Sequence, residues 1–157
     1  MKPLITIVCC LICIQLFACC YKSNEMTGSP NNVLNTGSMK LKITVGTNTF
    51  TATLYNNATV TEFKKKLPMT INMQELNGNE KYFDLPNSLP ANASNPGTIQ
   101  TGDLMLYGSN TLVLFYKSFS TSYNYSELGR IEDTAGLTAA LGSDNVIVTF
   151  ALQEITP

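Results

Sequence analysis

The sequence predicts a mainly β domain, a small closed barrel with two short capping helices, carried behind an export signal and a polar tether. Three observations predict it: short segments that alternate apolar and polar residues between turn signals, two brief helical stretches with cap residues, and one apolar run near the N-terminus.

At the N-terminus, Lys2 supplies a positive charge and residues 4–18 are apolar apart from Thr6 and Gln15. That is the layout of a signal peptide, expected over residues 1–18. The run is shorter than the roughly 20 residues a helix needs to span a bilayer. It ends in Leu16-Phe17-Ala18-Cys19, which resembles the bacterial lipobox, and the resemblance implies that Cys19 is acylated and becomes the mature N-terminus. A cut before Cys20 would put Phe17 where an aliphatic residue belongs and Cys19 where a small residue belongs. Each buried acyl methylene contributes about 0.8 kcal/mol, so two or three chains would hold the protein on a membrane. The expected location is therefore the bacterial cell envelope, facing the periplasm or the exterior.

Residues 19–38 are rich in Ser, Asn, Gly, Thr and Pro and cannot bury enough apolar surface to offset their ordering entropy. They are expected to form a tether that reaches about 60 Å fully extended and typically spans near 25 Å. All five cysteines, Cys9, Cys10, Cys13, Cys19 and Cys20, lie within the first twenty residues. The domain expected over residues 39–157 must therefore hold together by its core, without disulfides.

Within that domain, 40–45 and 49–54 alternate around the turn Gly46-Thr47-Asn48 and predict a hairpin. Thr59-Val60-Thr61-Glu62 matches a capping box for a helix running to about Leu67, before Pro68. Further strands are predicted at 69–76, 103–107, 112–116, 128–131 and 146–152, with turns at 77–79 and 108–110. A second helix is predicted over 134–141, with Asp133 capping its start and Gly142 its end. Residues 86–102, with Pro86, Pro90, Pro96 and Gly97, show no periodicity and predict a long loop.

The segments Gly102-Asp103-Leu104-Met105-Leu106-Tyr107, Leu112-Val113-Leu114-Phe115-Tyr116 and Leu128-Gly129-Arg130-Ile131-Glu132-Asp133, then Gly136-Leu137 and Ala140-Leu141-Gly142, resemble the bacterial cyclophilin-like domain family. The resemblance spans 39–152 and implies a closed β-barrel with helices over its ends. It carries the fold rather than the activity, because one fold hosts many functions. The Phe-His-Arg and Gln-containing segments of the cyclophilin isomerases have no counterpart here. The opening strand-turn-strand-helix order also fits the start of a β-grasp α+β domain, the alternative fold.

Composition narrows the chemistry. The chain has a net charge of −1 and no histidine, so a histidine-based triad or metal site is excluded, and a domain without cysteine has no thiolate nucleophile or thiolate zinc site. No glycine-rich phosphate-binding pattern occurs, so no cofactor is expected. Lys64-Lys65-Lys66 reads as a solvated helix end, and no nucleic-acid partner is expected.

One constellation points to a ligand. Arg130, the only arginine, follows Phe115, Tyr116, Phe119, Tyr123 and Tyr125, and Tyr107 lies on a neighbouring strand. Aromatic rings supply amphipathic walls and a guanidinium supplies a fixed fork of donors. In the competing assignment Phe115 belongs to the core, the tyrosines are half-exposed, and Arg130 bridges to Glu132 or Glu127. The expected function is binding of a peptide, small molecule or envelope protein. The alternatives are an accessory role in the envelope without a pocket, and prolyl cis-trans isomerisation.

Overall fold

The computed structural model describes residues 39–153, and the segments read as signal peptide, acylated Cys19 and tether lie outside the described residues. Ten strands and two short helices occur in the order β1 (Lys40–Val45), β2 (Asn48–Leu54), α1 (Ala58–Lys64), β3 (Met69–Leu76), β4 (Glu80–Asp84), β5 (Thr98–Ile99), β6 (Asp103–Tyr107), β7 (Thr111–Phe115), β8 (Phe119–Ser120), β9 (Tyr125–Ile131), α2 (Leu137–Leu141) and β10 (Val146–Leu152). Eight strands close an antiparallel barrel in the order β1-β10-β3-β4-β7-β6-β9-β2, and β5 pairs with β8 in a separate ribbon. The barrel is the predicted architecture, and the β-grasp alternative falls because the sheet closes on itself. Among the described residues no helix is long and apolar enough to cross a membrane.

Period-two alternation builds the interior. Leu41, Ile43 and Val45 of β1 and Phe50, Ala52 and Leu54 of β2 point inward. Met73, Leu104, Leu106, Leu112, Leu114, Leu128, Val148 and Phe150 complete the barrel core, with Phe63 of α1 and Leu137 and Leu141 of α2 packed against it. A second cluster of Ile99, Met105, Val113, Phe115 and Tyr125 lies apart from the first. It occupies the outer face of β7, β6 and β9, opposite the inward rows, and the ribbon residues Ile99 and Phe119 pack on it. The strands beneath the ribbon are therefore apolar on both faces.

Several local expectations are corrected. Helix α1 is capped by Asn57, whose side-chain oxygen accepts from the Val60 N–H at 2.9 Å, rather than by a Thr59–Glu62 box. The Thr59 hydroxyl instead donates to the Pro90 carbonyl at 2.6 Å, tying the helix to the long connection. Helix α2 starts at Leu137 after Gly136, which stands at φ +77°, so it has no side-chain cap, whereas Gly142 does end it. Asp133 accepts from the Ala135 N–H at 2.9 Å and shapes the turn before the helix. Strand β4 was not predicted, although Asn77 and Gly78 at φ +56° and +69° make the tight turn that Asn-Gly favours. The long connection contributes β5 and a bridge from Ser94 to Tyr125, and β9 begins three residues earlier than predicted.

Candidate functional site

Outer-face residues of β4, β7, β6 and β9 and the segment after β8 enclose an open cleft of about 420 Å³. Its walls are the rings of Tyr82, Tyr107, Phe119, Tyr123 and Tyr125. The cross-strand pair Tyr107↔Tyr125 places two rings side by side, with centroids 5.6 Å apart. Tyr123 stands perpendicular to Tyr107 at 6.0 Å. Tyr107 and Tyr123 are 45% and 62% exposed, so two large rings meet solvent at the rim with no covering element among the described residues. Phe115 lies buried beneath, 5.5 Å from Tyr125 and 5.7 Å from Phe119, and supports the walls without lining the cleft.

The two carboxylates of the cleft come from β4, and Asn77, Asn79 and Thr111 add neutral polar groups. Alternation that buries Lys81 turns Glu80, Tyr82 and Asp84 outward, and Glu80 and Asp84 both line the cleft. Burial, with the Glu75 carboxylate adding to it, pushes the Glu80 carboxyl up to about 7. Burial and then Glu80 raise the Tyr125 phenol. Asp84 accepts from the Thr111 hydroxyl at 2.6 Å. No lysine or arginine lines the cleft among the described residues.

Arg130 is not part of this cleft. It pairs with Asp103 rather than Glu132 or Glu127, its Nε donating to the carboxylate at 2.5 Å, and Asp103 also accepts from the Gln100 N–H at 2.7 Å. The hydrogen bond to Asp103 holds the guanidinium above its ordinary pKa. The physical reason for the separation is strand length. Arg130 lies opposite Asp103 while Tyr125 lies opposite Tyr107, at the other end of the same pair of strands. Five residues at ~3.3 Å each put the two about 16 Å apart along β9. Arg130 instead borders a polar depression with Gln100, Glu127 and Glu132.

Tyr116 is also elsewhere. It follows β7 and is buried in the barrel core with Leu112 and Leu114. Its hydroxyl donates to the Glu75 carboxylate at 2.9 Å, and burial, then Glu75, push the phenol up to about 12. Lys81, fully buried, bonds the same carboxylate and donates to the carbonyls of Gly142 at 2.9 Å and Asp144 at 2.7 Å. Burial alone would raise the Glu75 carboxyl, but the hydrogen bonds from Lys81, Tyr116 and the Gly78 N–H outweigh it and hold Glu75 below the usual range.

Of the seven domain residues expected to form one site, the structure brings Tyr107, Phe119, Tyr123 and Tyr125 together, puts Phe115 under them, and sends Tyr116 and Arg130 to two other places. Sequence reasoning missed Glu80, Tyr82 and Asp84 because it missed β4. The Asn-Gly turn followed by the alternating Glu80-Lys81-Tyr82-Phe83-Asp84 was the available signal. No group of three or more metal-ligating side chains occurs among the described residues.

No protein of curated function matches the chain. The barrel is similar to the solution structure of the hypothetical protein AF2241 from Archaeoglobus fulgidus, with a TM-score of 0.52 and 19% identity over 74% of this chain and 95% of that one. At that identity the likeness establishes the fold alone. The sequence model of the cyclophilin-like family matches residues 43–151, from within β1 to within β10. With the closed eight-stranded barrel already evident, that match means that the chain belongs to the cyclophilin-like family.

Proposed function

We propose that this domain is a binding module of the bacterial cell envelope, held on a membrane through acylated Cys19, which takes a small molecule or short peptide segment in the aromatic cleft. The observation that carries the reading is the cleft itself: a concavity of about 420 Å³ walled by five aromatic rings, two of them exposed at its rim. Ligand sites are typically concavities of roughly 300–1,000 Å³ with apolar walls and a few placed polar groups. Exposed rings gathered in one patch mark interaction sites in soluble domains. The anchoring rests on the N-terminal pattern of charge, apolar run and lipobox-like cysteine.

Binding is favoured over prolyl isomerisation by where Arg130 sits. An isomerase of the kind considered needs a donor over the apolar wall that holds the proline ring, and the arginine is about 16 Å along the strand from that wall. Its guanidinium is already engaged by Asp103.

The test is a ligand titration followed by backbone amide NMR, using neutral aromatic fragments and short peptides, on the wild-type chain and on Tyr107→Ala and Tyr123→Ala. The reading expects shifts confined to β4, β6 and the 119–125 segment, and affinity lost about tenfold or more in the tyrosine variants. Shifts centred on Arg130 and Asp103 instead would overturn it, as would ligands that bind both variants as well as the wild type.

A further inference from the structure

We infer that the cleft is selective for a small organic cation, an alkylammonium seated against the tyrosine rings with its charge opposite Glu80 and Asp84. This rests on the reading of the cleft as a ligand site and adds the chemical class of the ligand. The first ground is charge. Two carboxylates line the cleft and no lysine or arginine does so among the described residues. The chain's buried lysine on the same strand faces the opposite way, into the barrel, where a carboxylate and two carbonyls hold it.

The second ground is the wall. Ring faces carry negative partial charge, so a cation within about 6 Å of a centroid is attracted, most strongly where water is displaced. Four of the five rings are tyrosines, and Tyr107, Tyr123 and Tyr125 form a contiguous set with centroids 5.6 and 6.0 Å apart. A neutral apolar ligand would gain the rings but would cover two carboxylates without supplying a counter-charge, which costs free energy. A carboxylate ligand would meet like charge. An ammonium satisfies both halves of the lining.

Partial burial that already pushes Glu80 up to about 7 makes the acid sensitive to its occupant. The charged and titratable groups that share the cleft with it are Asp84, Tyr82, Tyr107, Tyr123 and Tyr125, and the Glu75 carboxylate adds its field from the neighbouring strand. A bound cation favours the carboxylate form, so affinity for a cation rises as pH climbs through about 7 and levels off above it, with proton release on binding.

The experiment uses the full chain in a neutral maltoside detergent at pH 8, with choline and its uncharged carbon isostere 3,3-dimethylbutan-1-ol as probes, read by calorimetry and by amide NMR. Expected is choline binding at the cleft about tenfold or more tighter than the isostere, with that preference lost in Glu80→Gln and weakened at pH 6. Equal affinity for the two probes would overturn the cation preference while leaving the cleft as a ligand site. Binding of neither probe would overturn it as well, and the neutral fragments and peptides of the preceding test would then show whether the cleft binds anything. Choline shifts located away from Glu80 and the tyrosines would place the cation elsewhere and refute the assignment.

Discussion

Replacing Lys81 by methionine probes the most unusual interaction in the barrel. The side chain is fully buried and its ammonium meets the Glu75 carboxylate, the carbonyls of Gly142 and Asp144 at 2.9 and 2.7 Å, and the face of Tyr116 at 5.4 Å. Methionine fills a similar volume, so little of the loss comes from a cavity. What is lost is the charge partner of Glu75, whose side chain is 20% exposed, together with the donors to two carbonyls. Hydrogen bonds to a charged group contribute about 1.5–3 kcal/mol each but do not add fully, and removing one partner of a buried pair costs about 3–5 kcal/mol. The expected loss is about 4 kcal/mol. At about 4 °C per kcal/mol for a domain of this size, Tm falls by roughly 16 °C.

The assay is urea unfolding of wild type, Lys81→Met, Glu75→Gln and the double variant at pH 7. The double variant should recover at least about 1–2 kcal/mol of the summed single losses, because it no longer strands a charge. A Lys81→Met loss below about 1 kcal/mol, or strictly additive losses, would refute the view that Lys81 and Glu75 act as one buried unit.

Two carboxylates should show opposite pH behaviour. Glu80 sits above its ordinary value, so its contribution to stability is complete below pH 4.5 and is lost as pH rises through about 7; Glu80→Gln should therefore be near neutral at pH 4 and stabilise by about 1–3 kcal/mol at pH 8 in denaturant titrations. Glu75 is held below its ordinary value, so its contribution is present above pH 4.5 and lost as pH falls below it, seen as a stability decrease in acid that Glu75→Gln lacks. Gly129→Ala would press a Cβ into the Thr53 carbonyl oxygen on the neighbouring strand β2, and should cost about 2–3 kcal/mol in Tm measurements, more than a change at the open Gly46 turn. Arg130→Ala should destabilise by about 1–2 kcal/mol by leaving buried Asp103 without its cation, while ligand affinity at the cleft stays unchanged. The proposed lipid anchor predicts that Cys19→Ser moves the chain from the membrane to the soluble fraction of cells, read by fractionation.

Where one face of a strand is polar, the sequence was a sufficient guide. Leu41, Ile43, Val45, Ala52 and Leu54 declare their inward direction by alternation, and the turns at Gly46 and Gly142 announce themselves because glycine accepts their positive φ without strain. The order of such segments was enough for the closed barrel and its family, and the absence of histidine and of domain cysteine was enough to exclude whole classes of chemistry.

Where both faces are apolar, alternation carries no direction. Leu104-Met105-Leu106 and Leu112-Val113-Leu114-Phe115 read as uniform runs, and only the ribbon of β5 and β8 lying on one side shows that Met105, Val113 and Phe115 face outward beneath an aromatic cleft. The same limit misplaced Arg130. Nearness in sequence to Tyr125 suggested one site, yet an extended strand carries five residues about 16 Å, so near neighbours in the chain end up at opposite ends of the sheet. Lys81 shows the limit most sharply, because a lysine ordinarily signals solvent. Its burial is decided by carbonyls 61 and 63 residues away, at the end of α2 and just beyond it, which no local pattern encodes and which meet its ammonium only once the barrel has closed.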